Sequence, residues 1–302
     1  MFDKPKGGTE LMYDQLMDKL PENYKETFSI FNYLPNADFS KKTIYWNQLS
    51  YDQEAILPLK DPELISKIDH FVFVSHWQAE IFRKSFNIPG YKVSVIKNAH
   101  PGVATRAAGA RDKIRLCYTS TPWRGLDVLL RAWEILQPKD CELHIFSSTK
   151  IYGKDFAATA EESYKDLYQK CQDLDGVIYR GSIPNNELTA QLPEFDILAY
   201  PCTFEETSCI AVIEALSAGL RVVTSNIGAL PETTEGWARM YSYRVDKETH
   251  AQHFSDVLHK EIVLLKEGKL DDHLQLQTRV YSRTWNWDFR INEWIGLLDE
   301  LQ

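Results

Sequence analysis

The 302-residue chain has no apolar run near the ~20 residues that a membrane-spanning helix needs, and no secretory leader is legible at its start. It has five cysteines, at 117, 141, 171, 202 and 209, and no Cys-x-x-Cys. An odd, scattered set reads as reduced thiols in a cytoplasmic protein rather than a disulfide framework or a zinc site. No Gly-x-Gly-x-x-Gly follows any strand-like run, which disfavours a dinucleotide oxidoreductase. Basic residues are outnumbered 34 to 43, for a net charge of −9. The whole surface therefore suits neither a nucleic-acid backbone nor an anionic membrane. Low-complexity sequence is also missing. What remains is a globular composition, 44% hydrophobic, in a chain longer than a usual single core. That length favours two domains or one large α/β unit.

The most informative stretch runs from residue 195 to 224. Phe195 to Ala199 is a short apolar run suited to a buried strand, and Pro201 and Thr203 stop it. From Cys209 onward Ile210, Val212, Ile213 and Leu216 make a wide apolar face, as in a buried helix, and Gly219 sits where a C-cap glycine belongs. Leu220 to Thr224 is a second buried-strand run. Glu206 lies in the loop and Glu214 inside the helix. A helix start exposes unpaired N–H groups and positive dipole, so it attracts phosphate. If wholly helical, the interval between the two glutamates would span roughly 12 Å. That order of length fits the two ends of a nucleotide-diphospho-sugar, with a carboxylate for each set of hydroxyls. Spacing alone means little and favours the plainer reading, two solvated glutamates on a surface loop and helix.

The flanks add to the spacing. Glu206-x7-Glu214, then Ala215-Leu-x-Ala-Gly219-x-x-Val-Val223, Gly228 and Pro231-Glu232, resembles the family-4 retaining glycosyltransferases of GT-B fold. The resemblance implies two Rossmann-like domains facing a cleft. It places Glu206 at the donor sugar and Glu214 at the ribose hydroxyls. Thr207 and Cys209 stand where that family usually has glycine, beside Ser208 and Ile210 at the helix mouth. A basic residue before Gly125 is part of the same pattern, which makes Arg124 the cation against the leaving phosphate. An earlier arginine of that pattern is replaced here by Ser120 or Thr121, which offer only hydroxyls. The segment after Gly181 packs by the nucleobase in that family, which points to the backbone of Ile183.

Along the rest of the chain, Lys4-Pro-Lys-Gly-Gly-Thr-Glu10 is a glycine turn opening a helix that Pro21 ends, and such a turn can cradle phosphate. By resemblance Gly7 and Gly8 face the cleft on the donor side. The family has a strand before this loop and only six residues precede Gly7 here, so either the fold has lost that strand or the chain is shortened at its start; a short N-terminal domain is expected. Lys25 to Asn32, Lys41 to Trp46, Phe71 to Ser75 and Tyr91 to Ile96 read as strands, with Ser75 a helix N-cap. Asn47, Gln48, Tyr51, Asp52 and Gln53 follow a strand at its C-terminal end, where open α/β sheets bind ligands. His76 at a helix start reads as structural or as an acceptor-site group. Residues 101–112 are the linker candidate. Ile114 to Tyr118 opens a second strand–loop–helix set; Cys141 to Ser147 and Val177 to Arg180 are strands, and Asn185 caps a helix. Asp173-Leu-Asp175 sits in a turn, so no metal is assigned. After Glu232 mainly helices are expected, the last over Trp285 to Leu301.

The expected division is an acceptor domain over 1–105, a donor-binding domain over 113–280, and a C-terminal helix over 281–302 that crosses back to the first domain. The expected function is metal-independent, retaining transfer of a sugar from a nucleotide-diphospho-sugar to an acceptor hydroxyl, with no cofactor. The acceptor is carbohydrate, lipid-linked or protein. Alternatives are another GT-B enzyme, an epimerase or phosphorylase, and a non-catalytic nucleotide-sugar-binding subunit.

Overall fold

A computed structural model describes residues 7–106, 113–150 and 160–302; residues 4–6 of the glycine-turn segment and 107–112 of the linker candidate lie outside them. Two parallel sheets organise the described residues. The first holds β1 (Phe28–Phe31), β2 (Lys42–Asn47), β3 (His70–Phe73) and β4 (Val93–Val95), in the order β1-β2-β3-β4. Its helices are α1 (Gly8–Lys19), α2 (Glu22–Thr27), α3 (Pro62–Lys67) and α4 (His76–Phe86). The second sheet holds β5 (Ile114–Tyr118), β6 (Cys141–Ile145), β7 (Val177–Tyr179), β8 (Ile197–Tyr200), β9 (Arg221–Ser225) and β10 (Arg239–Tyr241), in the order β10-β9-β8-β5-β6-β7. With it come α5 (Leu126–Leu136), α6 (Lys165–Asp173), α7 (Asn185–Gln191), α8 (Ile210–Ala218), α9 (Leu230–Thr234), α10 (Lys247–Lys266) and α11 (Asp271–Thr284). The chain ends in α12 (Trp287–Leu301).

Sheets built only of parallel strands are covered on both faces, so their strands read as continuous apolar runs. Ile197–Tyr200 and Arg221–Ser225 are buried throughout. In β2 the period of two divides the side chains cleanly. Ile44 and Trp46 join a cluster with Met12 and Leu16 of α1 and Trp294 and Leu298 of α12. Tyr45 faces the other way, into a cluster with Phe71, Phe73, Phe82 and Phe86. The C-terminal helix therefore lies on the first sheet. Trp46 meets Trp287 and Trp294 edge-on, with ring centroids 6.4 and 5.1 Å apart. Such geometry adds to the burial of large rings, and truncating one of them costs about 3–5 kcal/mol.

Three local readings are corrected. Lys25 to Thr27 end a helix, α2, whose Tyr24 is buried; the strand begins only at Phe28. Tyr91 and Lys92 belong to a 3-10 turn ahead of β4. Downstream of Glu232 the chain is mainly helical, as expected, with a short strand, β10, that pairs with β9 and closes that edge of the sheet. Asn185 is not a cap: Pro184 holds that position, without a side-chain cap. Ser75 does cap α4, accepting from the Gln78 N–H.

Several contacts tie the two sheets' elements together. The Glu232 carboxylate accepts from the backbone N–H groups of His76 and Trp77 at 3.0 and 3.2 Å, where α4 begins. Lys97 pairs with Glu235 at 2.8 Å. His100 N–H donates to the Trp285 carbonyl at 2.9 Å, joining the segment after β4 to the turn between α11 and α12. Among the described residues, no helix is long and apolar enough to cross a membrane.

Candidate active site

In the six-stranded sheet the chain winds outward from β5 through β6 to β7, then returns to β8 on the other side and continues to β9 and β10. The direction reverses between β5 and β8. Open α/β sheets bind ligands at that point, beyond the carboxyl ends of the strands. The loops there are Thr119–Arg124 and 201–209. They face the C-terminal ends of β1 and β2 across a cleft of about 720 Å³. Every residue singled out for the donor lines this cleft: Gly7, Gly8, Ser120, Thr121, Arg124, Ile183, Glu206, Thr207, Ser208, Cys209, Ile210 and Glu214. His76 does not line it; its backbone N–H is bound by Glu232 instead.

The helix α8 supplies the anion-attracting element. Cys209 is its N-cap and makes no side-chain cap, so the first turn presents backbone donors and the positive dipole end to the cleft. Its far end is satisfied. Gly219 takes the left-handed conformation at the C-cap, and the Gln277 amide of α11 donates to the Leu216 and Leu220 carbonyls, both at 3.0 Å. The start of α1 abuts the start of α8: a Cβ on Gly8 would lie 2.9 Å from Ile210 Cδ1. Gly7, the N-cap of α1, likewise makes no side-chain cap.

Glu206 is not a solvated loop residue. Its side chain is 5% exposed, accepts from Tyr200 Oη at 2.5 Å, and pairs with Arg124 Nη1 at 3.2 Å. The tyrosine stays protonated, because burial drives its pKa far up. The Arg124 guanidinium also sits 4.8 Å over the Phe204 ring. A charge-assisted pair plus a stacked ring fixes the planar cation at the cleft wall. Beneath the loop, a Cβ on Gly228 would meet the Glu206 backbone nitrogen at 2.6 Å. That close approach lets Ala229 N–H reach the Glu206 carbonyl at 2.7 Å, so the glycine of the motif sets the height of the carboxylate.

Glu214 is buried in the cleft wall, 4% exposed, and its carboxylate accepts from Asn185 Nδ2 at 3.2 Å. Desolvation raises its pKa from 4.5 to about 7, opposed only in part by that hydrogen bond. The site thus holds one carboxylate tied to a cation and a tyrosine, and a second poised to exchange a proton near neutrality. The two residues at usual glycine positions have separate fates. Thr207 Oγ1 donates to the Gln48 carbonyl at 3.0 Å, across the cleft. Cys209 turns into the hydrophobic core, where burial pushes its thiol pKa well up and leaves it inert. Gln48 itself exchanges amide hydrogen bonds with Asn98, both at 3.0 Å. Asn185, Ser147, Asn32, Tyr33 and Asn36 also line the cleft and escaped the sequence reading. The type and place of Asn185 suit a helix cap, which hides its part in the cleft.

Residues 112–260, just under half of the chain, match the family described as Glycosyl transferases group 1. A curated relative, an uncharacterized 41.2 kDa protein in the cps region of Klebsiella pneumoniae, is 35% identical over 71 residues, 24% of this chain and 19% of that protein. The match thus spans about a fifth of the relative's length. Among solved structures, the sucrose-phosphate synthase of Thermosynechococcus elongatus aligns over 95% of this chain and 79% of its own, with TM-score 0.70 and 16% identity. Alr3699/HepE of Anabaena, solved with UDP-glucose, aligns over 96% of this chain and 82% of its own, with TM-score 0.67 and 12% identity. An alpha,alpha-trehalose-phosphate synthase of Burkholderia vietnamiensis aligns over 86% and 66%, with TM-score 0.63 and 9% identity. The chain therefore has the GT-B fold of these glycosyltransferases, and its residues 112–260 carry the Glycosyl transferases group 1 match.

Proposed function

We propose that this protein transfers a sugar from a nucleotide-diphospho-sugar to an acceptor hydroxyl, with retention at the anomeric carbon and without a metal. The observation that carries the reading is the meeting, in one cleft, of the uncapped start of α8, the Arg124 guanidinium and the two buried glutamates. Breaking the sugar–phosphate bond builds negative charge on the leaving phosphate. Backbone donors of α8 and Arg124 are preorganised for that charge, in a site partly closed to water. Glu206, held by Tyr200 and Arg124, orients the donor sugar through its hydroxyls, and Glu214 accepts from the ribose. In a front-face mechanism the leaving phosphate takes the acceptor's proton, and no protein base is needed. Five buried cysteines free of disulfides suit a reducing, cytoplasmic setting.

UDP-sugars are the first donors to try, because HepE binds UDP-glucose. The test begins with thermal shift against UDP-, GDP- and ADP-sugars, NAD serving as control. Transfer to acceptors follows in excess EDTA, and the product anomer is read by proton NMR. Retention of configuration at an EDTA-insensitive rate is expected. An inverted product, or a rate abolished by EDTA, overturns the mechanism; donor binding without transfer to any acceptor favours a binding subunit.

A further inference from the structure

Ser147 lies two residues beyond the end of β6, at the cleft wall, and it is not part of the donor set described above. It is 2% exposed, and among the described residues its hydroxyl has no hydrogen-bond partner. A buried polar group without a partner is costly, and in a cleft wall that cost marks a place for a ligand atom. The backbone around it is pinned. Tyr179 Oη donates to the Ser147 carbonyl at 2.9 Å. The next residue's hydroxyl, Ser148 Oγ, donates to Glu161 at 2.5 Å, and Thr149 Oγ1 donates to the same carboxylate at 2.8 Å. The Ser147 hydroxyl is therefore held in place and left unused, while its neighbours spend theirs on Glu161.

Its position in the sheet says which part of a ligand it would meet. Strand β6 is the neighbour of β5 on the side away from β8. The phosphate-attracting elements, Arg124 and α8, follow β5 and β8. The opposite wall, beyond β6 and β7, combines the apolar Phe146, Ile183 and Leu188 with the uncharged polar groups of Ser148, Ser182 and Asn185, and among the described residues carries no cation. Such a wall suits a flat, partly apolar ring with hydrogen-bonding edges more than it suits a diphosphate.

We propose that Ser147 is a donor-recognition residue whose hydroxyl hydrogen-bonds the nucleoside half of the nucleotide, its base or ribose. The inference rests on the nucleotide-sugar reading given under the proposed function. One buried hydrogen bond to a neutral partner contributes about 3- to 10-fold in affinity.

The experiment measures binding by calorimetry for wild type and Ser147→Ala. The probes are UDP, UMP and inorganic diphosphate, with GDP/GMP or ADP/AMP used if thermal shift selects that base. Loss of the hydroxyl is expected to weaken UDP and UMP alike by about 3- to 10-fold and to leave diphosphate binding unchanged. The ligand-free melting temperature should hold or rise, since a buried hydroxyl without a partner has been removed. Ser147→Gly, which deletes the same group, should weaken binding in the same pattern. Wild-type affinity for UMP in both variants overturns the assignment, as does an equal loss for diphosphate. If wild type binds none of the nucleotides, the functional reading falls and takes this one with it.

Discussion

Replacing Glu214 by glutamine should change how stability depends on pH, by an amount that follows from its burial. Its carboxyl has a folded pKa of about 7 against an ordinary 4.5. Below about pH 4.5 both the folded and unfolded chains carry the proton, and burial costs no ionisation penalty. As pH rises from there, the unfolded chain ionises first while the folded chain retains its proton, so stability falls. Above about pH 7 the folded chain ionises too, and the penalty levels off. One pKa unit is worth about 1.4 kcal/mol, so the full penalty is about 3 kcal/mol. Glutamine has nearly the same shape, does not titrate, and can orient its carbonyl toward the Asn185 amide. Urea unfolding of wild type and Glu214→Gln, at intervals from pH 4.5 to 8.5, gives the difference directly. The variant should gain about 3 kcal/mol relative to wild type across that range, most of it between pH 5 and 7. A difference that stays flat with pH would show that the carboxyl ionises normally in the fold, and the account of a desolvated Glu214 would fail.

Further outcomes follow from the same geometry. Glu206→Gln keeps the volume but weakens the Arg124 pair. It should leave the melting temperature within a few degrees and remove most sugar transfer, as nucleotide release would record; unchanged turnover would refute its role. Donor affinity should rise with pH between about 6 and 8, since ribose hydroxyls bind the ionised Glu214, and the slope should vanish in Glu214→Gln. Burial lowers the His250 pKa to about 4, with His253 adding to the effect. The folded chain keeps that ring neutral against Tyr241 Oη at 2.7 Å, so stability contributed by His250 is present above pH 6.5 and lost as pH falls toward 4, by up to about 3 kcal/mol. Acid unfolding of His250→Gln should lack that part of the slope.

The second sheet was legible because its strands are continuous apolar runs with clear punctuation. Ile114 to Tyr118 is bounded as expected, and Cys209 and Gly219 delimit α8 at its two ends. Parallel strands buried on both faces leave that mark in the sequence. The first sheet was harder to bound. Lys25 to Thr27 carry no apolar pattern of their own, and the turn of α2 is settled by the burial of Tyr24. Strand β10 was missed for a similar reason: its three residues are buried only at Tyr241, and its existence depends on pairing with β9. At the site, the sequence offered residue types and spacing but not partners. Nothing near Glu206 in the motif announces that Tyr200 will hold it, or that Arg124, far away in the chain, will pair with it. Asn185 looked like a cap because its type and place fit one. Only the fold brings its amide to Glu214, 29 residues on.

A crystal structure with the nucleoside diphosphate chosen by thermal shift tests the central claim most directly. The diphosphate should lie at the first turn of α8 within hydrogen-bond reach of the Arg124 guanidinium, with the ribose at Glu214. Density for the nucleotide elsewhere, with that turn occupied by solvent alone, would contradict it.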